Sequence, residues 1–203
     1  MDLFGIYKTD EKVTEEIVSG VNGLIYTGQF ISEEEEKTLI EFIDNQPWLD
    51  DLKRKVQHYG YKYDYRARRI NQSYKIGELP EWSELIVNRL LKQNIIDFTP
   101  DQLIINNYEP GEGIAMHIDC EPCFSDTIIS LSLGSDIVMD IKKVDSNDRL
   151  NILLKRRSLL IFSGDSRYLF EHGIASRKSD SFNGKKQSRD RRISLTFRKV
   201  ILE

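Results

Sequence analysis

This 203-residue chain is poor in the features that most directly announce a function. It has only two cysteines, Cys120 and Cys123. No disulfide framework can be drawn from such a pair, and a reducing compartment is the simplest expectation. No stretch of about 18 apolar residues exists to cross a membrane. The opening MDLFGIYKTDEKVTEE has no cationic leader followed by an apolar run. A soluble, cytoplasmic, monomeric protein is therefore expected. Five prolines and twelve glycines exclude collagen-like and linker-rich architectures. There are no internal repeats. The chain suits a polar N-terminal arm over 1–20 and a single domain over 21–203 with a real core.

A net charge of one strong sign is also lacking. The formal value is −4, but it hides two basic windows. Lys53–Lys75 holds eight Lys/Arg against one acid, and Arg177–Lys199 holds nine against two. The local sign says more about partners than the total does.

Residues 22–30, NGLIYTGQF, alternate like a half-buried strand. Ser32 with Glu35 forms a capping box, Glu33 to Glu36 suit a helix N-terminus, and Leu39, Ile40, Phe42 and Ile43 supply a buried stripe. That acidic run is helix capping, not a metal site. Pro80 opens a second helix carrying Trp82, Leu85, Ile86, Leu90 and Leu91. After Pro100 come six short β-branched runs: QLIINNYE, DTIISLSLG, DIVMDIKKV, RLNILL, SLLIFSG and RRISLTFRKVIL. No helices separate them, which indicates an antiparallel sandwich or barrel. The class is α+β, a helical first third packed on an all-β body.

Three histidines occur in all. His117 stands two residues before Asp119, so on extended backbone both project to one side. His172 from a neighbouring strand would complete a face of two imidazoles and one carboxylate, which suits Fe(II) and leaves open positions for a cosubstrate and oxygen. The plain alternative is a set of ordinary hydrogen-bonded histidines. Arg192, Ser194, Thr196 and Arg198 recur at every second position in RISLTFR, with Ile193, Leu195 and Phe197 between them. Two arginines facing one interior need a bound dianion, and a small dicarboxylate fits their forks. The alternative there is an edge strand with solvated arginines. Asn106 and Tyr108 share one face of another strand and offer an amide and a phenol.

Asn106-x-Tyr108, the PGEGI turn, His117-x-Asp119, His172 and Arg192-x-Ser194-x-Thr196-x-Arg198, in this order, resemble the AlkB family of Fe(II)- and 2-oxoglutarate-dependent dioxygenases. The resemblance runs from Gly23 onward. HYGYKYDY, SLSLGSDIVMDI, RRSLLIFSGDSRYLFEHGI and RKSD are most similar to the tRNA-modifying homologue fused to a methyltransferase in animals. The resemblance implies a double-stranded β-helix (jelly roll) over about 100–203, with N-terminal helices packed on one sheet and a nucleotide-recognition lid over about 53–78. It makes His117, Asp119 and His172 the iron ligands. Arg192 and Ser194 would take the distal carboxylate of 2-oxoglutarate, and Arg198 and Asn106 the carboxylate beside the keto group, with Tyr108 adding a hydrogen bond. Serine stands at 194 where many relatives have Asn. The implied reaction consumes O2 and 2-oxoglutarate, releases succinate and CO2, and hydroxylates a substrate carbon. An N-linked methyl so hydroxylated is lost as formaldehyde.

The first basic window interleaves Tyr59, Tyr61, Tyr63 and Tyr65 with cations, offering stacking faces and phosphate contacts. Its alternative is an ordinary strand whose tyrosines pack on the helices. Where the resemblance places the lid, Tyr59, Tyr61, Arg66, Arg68 and Arg69 are the expected substrate contacts. Glu121 stands where the family's namesake has an acid at the base pocket. The expected substrate is RNA or tRNA, with a modified wobble uridine favoured and repair of N-alkylated bases in DNA or RNA as the alternative. A protein hydroxylase or a non-catalytic binding module ranks lower. The second window, including Lys185, Lys186, Arg189 and Arg191, either tracks phosphates or is a solvated loop. Cys120 and Cys123 are expected to be a buried or incidental thiol pair, since two thiols make a weak zinc signal.

Overall fold

The computed structural model describes residues 15–18, 20–50, 53–65 and 67–202. Most of the expected N-terminal arm, and Arg66, lie outside these. The elements in order are β1 (Glu15–Ile17), β2 (Leu24–Thr27), α1 (Glu33–Asp44), β3 (Lys55–Tyr59), α2 (Glu84–Lys92), β4 (Gln102–Tyr108), β5 (Ile114–His117), β6 (Ile128–Gly134), β7 (Ile137–Lys143) and β8 (Arg149–Leu154). There follow β9 (Leu159–Phe162), α3 (Gly164–Tyr168), β10 (Phe170–Ile174), β11 (Ser179–Phe182), β12 (Lys185–Ser188) and β13 (Arg192–Arg198).

The strands form a seven-stranded sheet ordered β1-β2-β9-β6-β13-β4-β3, a four-stranded sheet ordered β5-β10-β7-β8, and the β11-β12 hairpin. Every pairing is antiparallel. This is the expected jelly roll with helices on one sheet. The six strands read from β-branched runs all form. The others are short and rest on tertiary pairing.

Strand alternation builds two cores on the large sheet. Leu103 and Ile105 of β4 and Ile193, Leu195 and Phe197 of β13 join Leu39 and Ile43 of α1 and Ile86 and Leu90 of α2 in one cluster. A second cluster lies between the sheets, with Ile128, Leu160 and Phe162 facing Ile137, Met139, Ile141 and Ile174. Each fully buried aliphatic side chain contributes about 1.5–3 kcal/mol, so the helices are held chiefly by this burial.

The Ser32/Glu35 capping box forms as expected. The acidic turn does more than cap, because Glu35 pairs with Arg89 of α2 and Glu36 with Arg156, while Glu36 also accepts from the Gly134 amide. Pro80 opens not α2 itself but the 3-10 turn Glu81–Ser83 that leads into it.

The tyrosine run does not continue as one strand. It breaks at Gly60, whose φ is +75°, and a Cβ there would stand 1.8 Å from the Asp101 carbonyl oxygen. Only glycine fits that turn. It separates Tyr59 at the end of β3 from the tyrosines beyond.

Cys120 and Cys123 are buried, as expected, but not as thiols. The 3-10 turn Glu121–Cys123 brings the Cα atoms of Cys120 and Cys123 to 5.2 Å, with the sulfurs bonded. One tight turn supplies the approach that sequence spacing leaves open. The second basic window is also not one surface. Arg189 is buried and clasps Asp180 together with Arg177, and Arg191 holds Asp44 and Asn107. Lys185 and Lys186 stay exposed on β12.

Candidate metal and dicarboxylate site

A cavity of about 810 Å3 opens between the two sheets. His117 at the end of β5 lies directly opposite His172 of β10 in the antiparallel register. Asp119 follows two residues after His117. Ligand atoms of all three come within 4.8 Å of one another, and His117 Nε2 is 3.8 Å from Asp119 Oδ1. His117 Nδ1 lies 2.8 Å from the Ala115 carbonyl oxygen. A proton on Nδ1 satisfies that contact and leaves Nε2 as the lone-pair donor, the arrangement that orients a metal-binding imidazole.

The electrostatics agree with ligation. Burial, reinforced by His117, pushes His172 down to about 3, so its imidazole is neutral. The His172 ring stacks on Phe162 at 4.5 Å between centroids. Burial opposes the charge on Asp119, yet Arg198 and the two imidazoles outweigh it and hold the carboxyl well below its ordinary range. Arg198 donates to both Asp119 oxygens, at 3.1 and 3.4 Å, and to Gln102 Oε1 at 3.1 Å. The loop after Asp119 is held by Arg167, which donates to the carbonyls of Asp119, Cys120 and Phe124. Two imidazoles and one carboxylate converging beside a cavity fit a divalent iron.

Arg192, Ser194, Thr196 and Arg198 line this cavity together with Asn106 and Tyr108. The register sets Arg192 beside Tyr108 and Ser194 beside Asn106. Arg192 is 1% exposed. Its Nη2 donates to Ser132 Oγ at 2.8 Å, its guanidinium carbon is 5.5 Å from the Tyr108 ring centroid, and its Nε is buried without a partner. Burial depresses its proton affinity to about 10, still far above neutrality. A buried cation with an idle donor is costly until an anion enters, so the pocket fits a carboxylate.

The lid residues divide differently from the expectation. Tyr63, Tyr65, Lys53, Arg54 and Arg68 line the cavity. Tyr59 and Tyr61 do not. Tyr59 packs edge-on against Trp82 on the helix side, and Tyr61 is buried in the inter-sheet core. The turn at Gly60 is the cause, since a period of two does not survive a left-handed residue. Arg69 and Glu121 are exposed away from the cavity lining. For Glu121 the reason is the 3-10 turn it begins, which carries it outward.

Sequence patterning missed Arg54, Gln102, Ser132 and the apolar wall of Ile128, Met139 and Phe162. Gln102 was within reach, being in phase with Asn106 and Tyr108. Arg54 had no signal beyond its place in a basic run.

The family model of the 2OG-Fe(II) oxygenase superfamily matches residues 23–198. The mouse protein named tRNA (carboxymethyluridine(34)-5-O)-methyltransferase ALKBH8 is 42% identical over 202 residues, covering 88% of this chain and 30% of its own length. The L905 protein of Acanthamoeba polyphaga mimivirus is 36% identical over 188 residues, covering 90% of this chain and 87% of that protein. This chain thus spans less than a third of the mouse relative and most of the viral one. Among solved structures, that of OsALKBH1 superposes with a TM-score of 0.67 at 18% identity, covering 92% of this chain and all of that one. At that identity the likeness concerns the fold.

Proposed function

Because the chain belongs to the 2OG-Fe(II) oxygenase superfamily and is an AlkB-type dioxygenase dependent on Fe(II), 2-oxoglutarate and O2, we propose that it hydroxylates a substituent on a nucleic-acid base. RNA is favoured, and within it a modified wobble uridine of tRNA. The observation that carries this is the set of aromatic and cationic lid residues, Tyr63, Tyr65, Lys53 and Arg68, on the wall of the cavity that holds the His-Asp-His face. A protein side chain would not call for stacking faces beside phosphate-binding cations. The similarity to proteins named for carboxymethyluridine at tRNA position 34 supports the choice of base.

His117, Asp119 and His172 would hold the iron, whose chemistry with 2-oxoglutarate is oxidative decarboxylation coupled to C–H hydroxylation. Arg192 and Ser194 receive the distal carboxylate. Arg198 and Asn106 serve the end nearer the iron, with Tyr108 between. Arg198 also keeps the Asp119 carboxylate charged and oriented. Ile128, Met139 and Phe162 exclude water from the reacting carbon. The flipped base stacks against Tyr63 or Tyr65 while Lys53 and Arg68 take phosphates. The protein acts as a cytoplasmic monomer in this reading.

The test is anaerobic loading with Fe(II) and 2-oxoglutarate, then oxygen. Succinate and product mass are scored on tRNA carrying modified wobble uridine and on methylated oligonucleotides. A gain of one oxygen on the tRNA nucleoside supports the proposal. Turnover of methylated DNA with none of any tRNA overturns the substrate choice.

A further inference from the structure

Arg54 stands just ahead of β3, at the start of the lid, and reaches onto the floor of the cosubstrate pocket. Its Nε donates to Asn106 Oδ1 at 2.8 Å, and its guanidinium carbon lies 5.7 Å from the Tyr108 ring centroid. Arg192 approaches the same ring. Tyr108 is thus flanked by two guanidiniums, one from the barrel and one from the lid. The cavity wall carries Lys53, Arg54, Arg68, Arg192 and Arg198 against Asp119 and Asp140, and Asp119 is already engaged by Arg198. The excess of positive charge suits a dianion.

Tyr65 adds a separate observation. Its ring lies edge-on to His58 and to Tyr63, and it lines the cavity. Its buried hydroxyl has no hydrogen-bond partner, a costly state for a group that both donates and accepts. Burial raises its pKa to about 12, so the phenol keeps its proton and can donate.

We propose that Arg54 and Tyr65 complete the 2-oxoglutarate pocket from the lid side, so that a seated cosubstrate orders the lid segment beyond β3. This rests on the assignment of Arg192 and Arg198 to the cosubstrate made above. Asn106 and Tyr108 belong to β4, and Arg54 stands ahead of β3, which pairs with β4 and leads into the segment that carries Tyr63, Tyr65 and Arg68. A dicarboxylate beneath Arg54 ties that segment to the sheet, orders the aromatic wall, and so prepares the surface that meets the nucleic acid. By linkage, whatever affinity 2-oxoglutarate draws from the lid, a nucleic acid bound to the lid draws from 2-oxoglutarate.

The experiment is calorimetric titration of 2-oxoglutarate into the Mn(II)-loaded protein without oxygen, with hydrogen exchange followed over residues 53–65. Arg54→Met keeps the stem and removes the charge, and is expected to weaken binding about tenfold, the scale of one charge-assisted hydrogen bond. It also abolishes the slowing of exchange that 2-oxoglutarate produces in the parent. Arg54→Lys restores part of the affinity. Tyr65→Phe, which deletes only the hydroxyl, weakens binding about threefold, and it carries the test should Arg54→Met fail to fold. Lys75→Met, a matched loss of charge on the lid surface, leaves the isotherm unchanged. Parental binding by Arg54→Met and Tyr65→Phe, with binding lost in Arg192→Met, overturns the inference and spares the pocket assignment. Parental binding by Arg192→Met overturns the assignment itself. Weaker oligonucleotide binding by Arg54→Met with unchanged 2-oxoglutarate affinity makes Arg54 a phosphate contact and also overturns the inference.

Discussion

His117 and His172 face each other across the β5–β10 ladder, with ring centroids 4.4 Å apart. They stand 55 positions apart in sequence, and a single antiparallel register removes that distance. The pairing fixes two of the three donors on adjacent strands of one sheet, and Asp119 reaches the same point from the loop that leaves β5. The arrangement is preorganised, since each imidazole is oriented by something other than a metal: His117 by the Ala115 carbonyl and His172 by Phe162.

Replacing either imidazole therefore removes a ligand without removing a support. His117→Ala is expected to keep the fold and lose Mn(II) affinity by more than about 100-fold, beyond the range for loss of a partner outside the ligand set. Succinate and hydroxylated product disappear together. Metal titration followed by paramagnetic resonance checks this, and retained binding with retained turnover would remove His117 from the site.

Arg192 separates function from stability. Its charge is buried without a carboxylate partner among the described residues. Arg192→Met is expected to leave the ligand-free protein as stable as the parent, or more stable by about 1–4 kcal/mol, because replacing a buried charge with an apolar side chain of similar volume relieves desolvation. The same variant loses 2-oxoglutarate binding. Thermal melts without cosubstrate, beside calorimetry with it, make the comparison. A large drop in the melting midpoint would mean that Arg192 is a structural residue.

Asp180 is the opposite case. Buried between Arg177 and Arg189, it also accepts from the Val138 amide. Burial alone would raise its pKa, but the Arg189 and Val138 hydrogen bonds prevail and hold it below the ordinary value. A carboxyl depressed on folding stabilises the fold above its unfolded value, and that contribution is lost as pH falls through the folded value. Asp180→Asn leaves buried Arg189 without its counter-charge and is expected to cost about 3–5 kcal/mol at neutral pH. The cost shrinks in acid, where the parent carboxyl is itself neutral. Urea melts of both proteins from neutral pH to acid measure it, and a pH-independent difference would exclude the charge account.

The lid predicts a salt signature. Arg68 lines the cavity whereas Arg69 lies away from it. Arg68→Ala should weaken oligonucleotide binding and lower the slope of log affinity against log salt by about 1. Arg69→Ala should do less. Fluorescence anisotropy across a salt series reads both, and equal effects would move the contact surface off the cavity.

The sequence by itself determined the chemistry-bearing strands. In RISLTFR and QLIINNY the period of two is unbroken, so the faces of Arg192, Ser194, Arg198, Asn106 and Tyr108 followed from alternation alone, and the structure sets them together on one wall. His117 and Asp119 were legible for the same reason, and the capping box for a local one. What lay beyond a local rule was decided by tertiary structure. Gly60 turns the tyrosine run over, leaving Tyr59 half-buried against the helices, burying Tyr61 and presenting Tyr63 and Tyr65, because a left-handed residue resets which side each neighbour faces. A 3-10 turn joins Cys120 to Cys123 and carries Glu121 outward. Arg189 passes from apparent surface charge to buried ion pair only because the chain brings Asp180 against it. Periodicity assigns a face only while the backbone keeps one conformation, and a charge finds its partner only when the chain has folded.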